Sequence, residues 1–402
     1  MKNNILLIFV LGLILFCTLI SCKQIEKPVN EEVNKQSLEK INQQSMEEID
    51  EPINEEVISK KTVVEKKIPL EIKNNCIGFL SGDPEETKRI ASTGGAWVRP
   101  HIGAFVWEFI EKKGYAETDD WVKKSQNNNV TILATVWPYY DKDQEKCHSN
   151  CEVSREDVFY PMDGHGLPKS RCAPCSYDDY RKFLSGLIER YDGDGIDDMP
   201  NLEIPIKYWE IMNEPEMNSR SLTFFKGTQE DYIKILKVSR EVIKEECPDC
   251  LIVQGGAAGS METLTYWRRI FELDGDDYFD VANNHFVNYG DLETLNVKEY
   301  KELMDEFGID KPLWITEVEF SPNNPVAIVK GALNAGASRI FFSRFPISGE
   351  EWIIDKKDEM IDYQGEKKDG VDYQTKNKKD LGEKKLPEKD LNIYKEILGL
   401  CK

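Results

Sequence analysis

The sequence predicts an α/β fold in which eight parallel strands close into a (β/α)8 barrel, or TIM barrel. Three observations support this prediction. Short apolar runs alternate eight times with amphipathic helical segments from residue 76 onward. The 402 residues exceed the roughly 250 that such a barrel needs. No glycine-rich phosphate loop follows the first apolar run, whereas an open dinucleotide-binding sheet would favour one.

The predicted elements follow one another in strict alternation. Short, nearly continuous apolar runs are typical of buried parallel strands, and apolar residues at helical spacing indicate the helices between them. The eight strands are predicted at Ile77–Ser81, Ala96–His101, Thr131–Pro138, Ile206–Met212, Leu251–Gln254, Val281–Phe286, Leu313–Val318 and Arg339–Phe345. The helices are predicted at Pro84–Ser92, Phe105–Lys124 with an interruption near Gly114, Asp178–Tyr191, Gln229–Glu246, Met261–Leu273, Val297–Phe307, Pro325–Ala335 and Leu391–Leu400.

Residues 1–21 are predicted to be a lipoprotein signal peptide. Lys2 precedes the apolar run Ile5–Ile20, which is shorter than the roughly 20 residues of a membrane-spanning helix. The run ends in Leu19–Cys22, which resembles a lipobox, so Cys22 is the predicted lipidation site. An uncleaved anchor helix is the alternative. Both interpretations place the rest of the chain outside the cytoplasm, attached to the membrane.

Residues 22–75 are predicted to be a disordered, charged tether. They are rich in Glu, Lys, Asn and Gln and poor in aromatic residues, so they cannot bury enough apolar surface to fold alone. Residues 76–402 then form the barrel domain.

The net charge of −21 argues against nucleic acid as a partner and against an anionic membrane face. The chain contains four histidines, which disfavours a histidine-rich metal hydrolase. No cofactor and no catalytic metal are expected, and the protein is expected to be a monomer.

The number of cysteines is consistent with an exported protein. Of the ten, Cys17 leaves with the signal peptide and Cys22 carries lipid, which leaves an even number for disulfides in an oxidising compartment. Barrel closure brings the first strand beside the last helix, so a Cys76–Cys401 bond is expected, and Cys247–Cys250 lie in one turn. The remaining four favour two disulfides, with a structural zinc site as the alternative: Cys147, Cys151, Cys172 and Cys175.

Polar residues end several predicted strands. In a TIM barrel the active site lies at the carboxyl ends of the strands, so these side chains meet at one mouth. They include two glutamates from separate strands, and glycoside hydrolysis needs two carboxyl groups. The candidates are Arg99 and His101, Trp137, Asn213 and Glu214, Asn284 and His285, and Glu317 and Glu319.

Two motifs resemble glycoside hydrolase clan A, the retaining TIM-barrel glycosidases. Tyr208–Pro215 (YWEIMNEP) is similar to the clan's strand-four motif, and Leu313–Glu317 (LWITE) is similar to its strand-seven motif, about 100 residues later. The resemblance covers residues 76 to 401. It is loosest at strand eight, where many members have a Trp and Arg339–Phe345 has none.

The resemblance implies a role for each matching residue. Glu214 is the acid/base, Glu317 is the nucleophile, and Asn213 binds a sugar hydroxyl. Arg99 orients and ionises the nucleophile, and His285 matches a histidine at the end of strand six. Arg99 is expected to lower the pKa of Glu317, whereas burial and the charge of Glu317 raise that of Glu214.

Several residues keep alternative interpretations. Glu216 and Glu319 could exchange roles with the proposed pair, and Glu319 should share a strand face with Glu317. Trp137 is equally a core residue and a sugar-stacking platform. His101 and His285 are candidate substrate-binding residues, each with a core interpretation beside it.

Two segments lie outside this scheme. The acidic stretch with Asp192, Asp194, Asp197 and Asp198 could bind calcium, but it lacks the complete loop pattern, so a turn is favoured. The long charged loop at residues 346–389 is expected on the mouth face, as a lid or a disordered segment.

These observations together predict a retaining glycosidase that hydrolyses β-linked oligo- or polysaccharides. A carbohydrate-binding lipoprotein on a barrel without catalytic activity is the alternative. A two-lobed solute-binding lipoprotein is disfavoured by the eightfold alternation. The sequence does not select the sugar or distinguish endo from exo action.

Overall fold

The computed structural model describes residues 75–100, 104–153, 167–219, 222–259, 261–287, 290–319, 324–343, 358–361, 367–370 and 386–401. The predicted signal peptide, and the predicted tether up to residue 74, lie outside the described residues. No helix among the described residues is both long enough and apolar enough to cross a membrane.

Eight parallel strands form the barrel, as predicted. In chain order they are β1 (Ile77–Ser81), β2 (Trp97–Pro100), β3 (Thr131–Val136), β4 (Tyr208–Ile211), β7 (Leu251–Gln254), β8 (Ala282–Val287), β9 (Leu313–Glu319) and β10 (Ala337–Phe342). Hydrogen-bonded neighbours follow the order β7-β4-β3-β2-β1-β10-β9-β8. Each strand therefore pairs with its neighbours along the chain, and β1 also pairs with β10.

The barrel closes between β7 and β8. Parallel bridges join Val253 to Val281 and Ala257 to Asn284. The Gln254 amide donates to the Val281 carbonyl at 3.0 Å, and the His285 amide donates to the Ala257 carbonyl at 2.7 Å. Residues 255–258, which follow β7, continue along this junction and therefore lie beside the end of β4.

Helices occupy the predicted positions between the strands. They are α1 (Thr87–Thr93), α2 (Trp107–Lys113), α3 (Ala116–Asn127), α4 (Asp141–Gln144), α5 (Tyr177–Glu189), α6 (Gln229–Glu246), α7 (Met261–Glu272), α8 (Val297–Glu306), α9 (Pro325–Ala335) and α10 (Glu388–Leu398). The predicted interruption at Gly114 separates α2 from α3, and this residue has φ of +70°, which glycine adopts without strain. Two short 3₁₀ helices, Pro84–Glu86 and Gly275–Tyr278, complete the set among the described residues.

Capping residues explain where two of these helices begin and end. In α6, the Thr228 hydroxyl accepts from the Asp231 amide and the Asp231 carboxylate accepts from the Thr228 amide, which forms a capping box. In α9, Asn324 caps the start, Pro325 occupies the first turn, and Gly336 ends the helix in a left-handed conformation.

An aromatic layer fills the lower end of the barrel, away from the mouth. The rings of Trp97, Tyr208 and Trp314 lie within 5.6 Å of one another, centroid to centroid. Phe341 joins them from β10, and a Cβ at Gly78 on β1 would overlap its ring. The barrel interior is therefore a packed core at this level, and an open cleft can lie only at the other end.

Two antiparallel hairpins lie outside the barrel sheet. β5 (Asn218–Ser219) pairs with β6 (Leu222–Thr223) directly after β4. β11 (Asp358–Ile361) pairs with β12 (Lys367–Gly370) within the predicted long loop at 346–389. Most of that loop lies outside the described residues.

The eight cysteines of the domain form four disulfides. The expected Cys76–Cys401 bond joins the residue before β1 to the third residue after α10, with Cα atoms 5.4 Å apart, and Cys247 pairs with Cys250. The loop after β3 carries two bonds, Cys147–Cys175 and Cys151–Cys172. These four thiols are therefore committed to disulfides, and the zinc alternative does not hold.

Candidate active site

The carboxyl ends of the strands bring five of the predicted residues into one cluster: Arg99, Asn213, Glu214, His285 and Glu317. Carboxylate oxygens of the two glutamates and a ring nitrogen of His285 all lie within 4.8 Å of one another. Glu214 is 4% exposed, while the Glu317 side chain is 14% exposed. The cluster is therefore largely shielded from solvent, and Glu317 is the more exposed of its two acids.

The backbone at the end of β4 turns sharply to present Glu214. Met212 and Glu214 have φ of +70° and +41°, a left-handed conformation that is uncommon for residues with a Cβ and strained by about 1–3 kcal/mol each. Neighbouring strands hold this turn. The Met212 amide donates to the Val136 carbonyl at 3.0 Å, and the Glu214 amide donates to the Gly256 carbonyl at 3.1 Å.

A β-bulge in β9 aims two consecutive side chains into the barrel. On β8, the consecutive residues Asn284 and His285 pair with Ile315 and Glu317, so Thr316 is an extra residue on β9. The pairing of β9 with β10 shifts over the same stretch. Because a bulge breaks the strict alternation of a strand, both the Thr316 hydroxyl and the Glu317 carboxylate reach the cluster.

His285 connects Glu214 to Thr316. Its Nδ1 lies 2.7 Å from Glu214 Oε1, and its Nε2 lies 2.9 Å from Thr316 Oγ1. Burial lowers the pKa of His285 to about 4, so the ring is neutral and donates only one of these two bonds. Gly256 on the β7 side makes room for the ring, because a Cβ there would overlap the His285 ring atoms.

Arg99 binds the side of the cluster that contains Glu317. Its guanidinium donates to Glu210 Oε2 at 2.7 Å, to Glu317 Oε2 at 3.1 Å and to Asn213 Oδ1 at 2.5 Å. Burial disfavours the charge of Arg99, but the carboxylates of Glu210 and Glu317 outweigh it and raise its pKa, so it remains protonated. Its three bonds fix the position of the Glu317 carboxylate.

The two candidate catalytic acids have different electrostatic surroundings. Burial raises the pKa of Glu214 to about 8; Arg99 opposes this shift, while Glu319 and Glu210 add to it. Burial also raises the pKa of Glu317, and Glu214 adds to the shift, although His285 and Arg99 oppose it. Arg99 lowers the pKa of Glu317, as expected, but burial outweighs the guanidinium, so the pKa of Glu317 is raised overall.

Glu210 lies beneath the cluster and was not among the predicted site residues. It is fully buried and accepts hydrogen bonds from Arg99, Thr135, Asn283 and Thr316. A signal was present in the sequence. An acidic residue in the middle of an otherwise apolar buried strand needs partners, so Glu210 should have been identified as an interior ion-pair candidate.

The two alternative acids occupy other surroundings. Glu216 Oε1 accepts from the Ala258 amide at 2.7 Å and from Trp267 Nε1 at 3.2 Å, so it contacts α7 and the loop after β7. Burial raises the pKa of Glu216 to about 8. Glu319 lies at the end of β9 and acts on Glu214 and Glu317 through its charge. The contacts with His285 and Arg99 thus distinguish Glu214 and Glu317 from both alternatives.

The remaining predicted residues fall elsewhere. Trp137 is 3% exposed and packs against Tyr139 and Phe224, with centroid distances of 6.1 and 5.7 Å. Little of its ring is open to a ligand, and its stacking role stays a prediction. His101 and Cys22 lie outside the described residues.

The acidic turn after α5 satisfies its carboxylates locally. Asp198 accepts from the Gly193 and Gly195 amides, while Asp192 accepts from the Asp194 amide. Burial raises the pKa of Asp192 to about 6. These bonds account for the Asp-Gly pattern as a turn, as favoured from the sequence, and the turn lies before β4, away from the mouth.

Comparisons with known proteins give structural likeness alone. No protein-family model and no curated protein matches this chain. It is similar to a glucosidase from Croceicoccus marinus (TM-score 0.48, 13% identity, 68% of this chain and 60% of that one). It is also similar to a GH39 β-xylosidase from Caulobacter crescentus (TM-score 0.46, 14% identity, 68% of this chain and 63% of that one). A third similar structure is an endo-1,4-β-mannanase from Rhizomucor miehei (TM-score 0.44, 15% identity, 67% of this chain and 85% of that one). The chain thus spans less than two thirds of the first two structures, and any function has to be argued from its own site.

Proposed function

We propose that this protein is a retaining glycosidase that cleaves β-linked oligo- or polysaccharides, with Glu317 as nucleophile and Glu214 as acid/base. One observation carries the proposal: carboxylate oxygens of Glu214 and Glu317 lie within 4.8 Å of each other at the barrel mouth. Retaining enzymes hold their carboxyl groups about 5–5.5 Å apart, whereas inverting enzymes leave about 6.5–9.5 Å for a water molecule. This spacing supports direct attack on the sugar.

The first step forms a covalent intermediate. A Glu317 oxygen attacks the anomeric carbon while Glu214 donates its proton to the leaving glycosidic oxygen, so the carbon–oxygen bond breaks as the glycosyl ester forms. Arg99 favours the ionised form of the attacking carboxylate against the effect of burial. The raised pKa of Glu214 keeps its proton available at neutral pH.

The second step returns the enzyme to its initial state. Once Glu317 is esterified, its negative charge is gone, so the pKa of Glu214 falls and its carboxylate can take a proton from water. That water attacks the anomeric carbon and releases Glu317. Asn213 supports both steps, because its amide oxygen accepts from Arg99 and leaves its amide nitrogen to donate to a sugar hydroxyl.

The assignment can be tested by hydrolysis and azide rescue. The panel comprises xylan, mannan, galactan, β-glucan and the corresponding 2,4-dinitrophenyl β-glycosides. Glu317→Ala should lose at least about 1,000-fold in rate and recover in azide as the α-glycosyl azide, because azide then attacks the sugar directly. Glu214→Ala should give the β-glycosyl azide instead. Reversed azide stereochemistry would exchange the two roles.

The alternative is a carbohydrate-binding protein without catalytic activity. It predicts that the wild type hydrolyses nothing in this panel. It also predicts that Glu214→Gln binds the same glycans no worse than the wild type, as measured by calorimetry. Glycan-dependent turnover that is lost in Glu317→Ala excludes it.

We propose further that the protein is exported, lipidated at Cys22 and tethered to the membrane as a monomer. The four disulfides support an oxidising compartment, because thiols in the cytoplasm are kept reduced. Metabolic labelling with an alkyne fatty acid should mark the wild type and leave Cys22→Ser unlabelled. Equal labelling of both proteins would refute lipidation at this residue. Light scattering of the soluble domain should report one chain per particle.

A further inference from the structure

Glu210 on β4 is a buried carboxylate that lies beneath both proposed catalytic acids. Its Oε2 accepts from Arg99 Nε at 2.7 Å and from the Thr135 hydroxyl. Its Oε1 accepts from Asn283 Nδ2 at 2.7 Å and from the Thr316 hydroxyl at 2.9 Å. All four groups donate, so the site requires a group that accepts at both oxygens, as an ionised carboxylate does.

One route from Glu210 leads to the nucleophile. The guanidinium that binds Glu210 through Nε binds Glu317 through Nη1 and Asn213 through Nη2. A guanidinium is planar and rigid, so fixing its Nε also fixes the direction of its other two nitrogens. The position of the Glu317 carboxylate is therefore coupled to the position of Glu210.

A second route leads to the acid/base. Thr316 donates its single hydroxyl hydrogen to one acceptor, and its oxygen lies 2.9 Å from both Glu210 Oε1 and His285 Nε2 and 3.0 Å from Asn283 Oδ1. If that hydrogen points to Glu210, the hydroxyl oxygen accepts from His285 Nε2, and Nδ1 is left as the acceptor facing Glu214. In this arrangement Nδ1 accepts the proton of Glu214, 2.7 Å away.

We propose that Glu210 is a positioning residue that aligns the nucleophile through Arg99 and the acid/base through Thr316 and His285. The proposal rests on the glycosidase function proposed above. It assigns to one buried carboxylate two tasks at opposite sides of the cleaved bond. Glu210 itself touches neither acid, so its effects must pass through these intermediate side chains.

The charge of Glu210 also acts on the site. The charged or titratable side chains that act on Glu214 are Arg99 from β2, Glu210 from β4, Glu216 from the segment after β4, His285 from β8, and Glu317 and Glu319 from β9. Glu210 contributes to the raised pKa of Glu214. Removing this negative charge makes the loss of a proton from Glu214 easier, so its titration should move to lower pH.

The matched pair Glu210→Gln and Glu216→Gln tests the proposal. Both residues are glutamates of the same segment, but Glu210 is fully buried, whereas Glu216 is partly buried and contacts Ala258 and Trp267 instead of this network. Because the raised pKa of Glu216 keeps it protonated at neutral pH, its replacement by Gln preserves charge and shape. Glu210→Gln removes a charge and puts an amide donor against other donors.

The first measurement needs no substrate. In protein labelled with ¹³C at the glutamate carboxyl groups, the Glu214 signal is assigned by its absence from Glu214→Gln and is titrated by NMR. Glu210→Gln should move its midpoint down by about one pH unit, and Glu216→Gln, which removes only the charge that Glu216 gains in the same pH range, should move it less. An unshifted midpoint in Glu210→Gln overturns the proposal, whether or not the wild type hydrolyses any glycoside.

The second measurement is the pH profile of kcat/KM on the aryl glycoside that the wild type hydrolyses fastest. The kcat/KM of Glu210→Gln should be about 100-fold lower than that of the wild type, as expected when reacting groups shift by about 1 Å. The basic limb of its pH profile should also move to lower pH. Glu210→Asp keeps the charge but is one methylene shorter, so it should lose activity without moving the limb. If the Gln variant does not fold, the Asp variant still tests whether Glu210 positions the two acids. Full activity in Glu210→Asp overturns the proposal, whereas an inert wild type overturns the glycosidase function alone.

Discussion

Glu214 and Glu317 are the same residue type, and their neighbours favour different protonation states, as their proposed tasks require. Glu214 contacts a neutral imidazole and is almost sealed from solvent, which favours the protonated form. Glu317 contacts a guanidinium and is more open, which favours the carboxylate. Because the two acids interact, they share their titration, and the active state has one proton on the pair, held by Glu214.

This shared titration predicts a bell-shaped pH profile for kcat/KM. Activity should rise with pH as Glu317 loses its proton, and this limb should lie above the usual range of a glutamate because the pKa of Glu317 is raised. Activity should fall again as Glu214 loses its proton, with a limb near its pKa of about 8. Initial rates from pH 4 to 10 on an aryl glycoside with a poor leaving group measure both limbs.

Replacing the acid identifies the basic limb. Glu214→Gln should abolish that limb, and it should slow poor leaving groups far more than 2,4-dinitrophenolate, which needs no proton. A basic limb that persists in Glu214→Gln would mean that another group, such as Glu216, supplies the proton.

The sequence predicted the identity of the site residues better than their electrostatics. The two motifs located Asn213, Glu214 and Glu317, because their order along the strands determines which side chains reach the mouth. Arg99 lowers the pKa of Glu317 as expected, but the larger opposing effect of burial was not predicted. How much water is excluded from Glu317 depends on packing from several strands, which no local pattern encodes.

At the scale of the element, the β9 bulge determines the architecture of the site. Strict alternation would turn Thr316 away from a barrel interior that receives Glu317 and Glu319. The extra residue brings Thr316 inward as well, where it joins the network of Glu210 and His285. A bulge depends on the pairing of three neighbouring strands, so the sequence of β9 alone did not predict it.

A glycine is also required at position 256, because the loop after β7 passes close to the His285 ring. Gly256→Ala should displace that ring and lower kcat by about 100-fold or more while the protein remains folded. Kinetics and a circular dichroism melt measure the two effects. Gly82→Ala is the control, since a Cβ at that exposed glycine meets no atom within 4 Å. Normal activity in Gly256→Ala would show that the His285 contact is dispensable.

For the whole molecule, the Cys76–Cys401 bond closes a loop with a sequence separation of 325 residues. Its replacement by two serines should cost about 2–5 kcal/mol, because a long loop loses much entropy on closure, and should lower Tm by about 5–10 °C. Differential scanning calorimetry measures the shift. The Cys247–Cys250 bond spans three residues, so its double serine variant should melt closer to the wild type. Equal shifts would indicate that packing around the sulfur atoms dominates.

The barrel as a whole was predictable because its signal is repeated. Eight alternations of apolar run and amphipathic helix leave few other folds, so an error at one strand boundary does not change the architecture. The loop after β3 was less predictable. Four cysteines in one loop allow three pairings, and the observed pairing depends on how residues 141–153 and 167–176 fold over one another.

The closing disulfide also determines what a single proteolytic cut can do. With Cys76 and Cys401 bonded, the chain between them is a covalent ring, and one broken peptide bond opens the ring without releasing a fragment. A protein nicked once should run as one band of full mass without reductant and separate into two after reduction. Glu214 and Glu317 would therefore stay in one covalent molecule wherever that single cut falls.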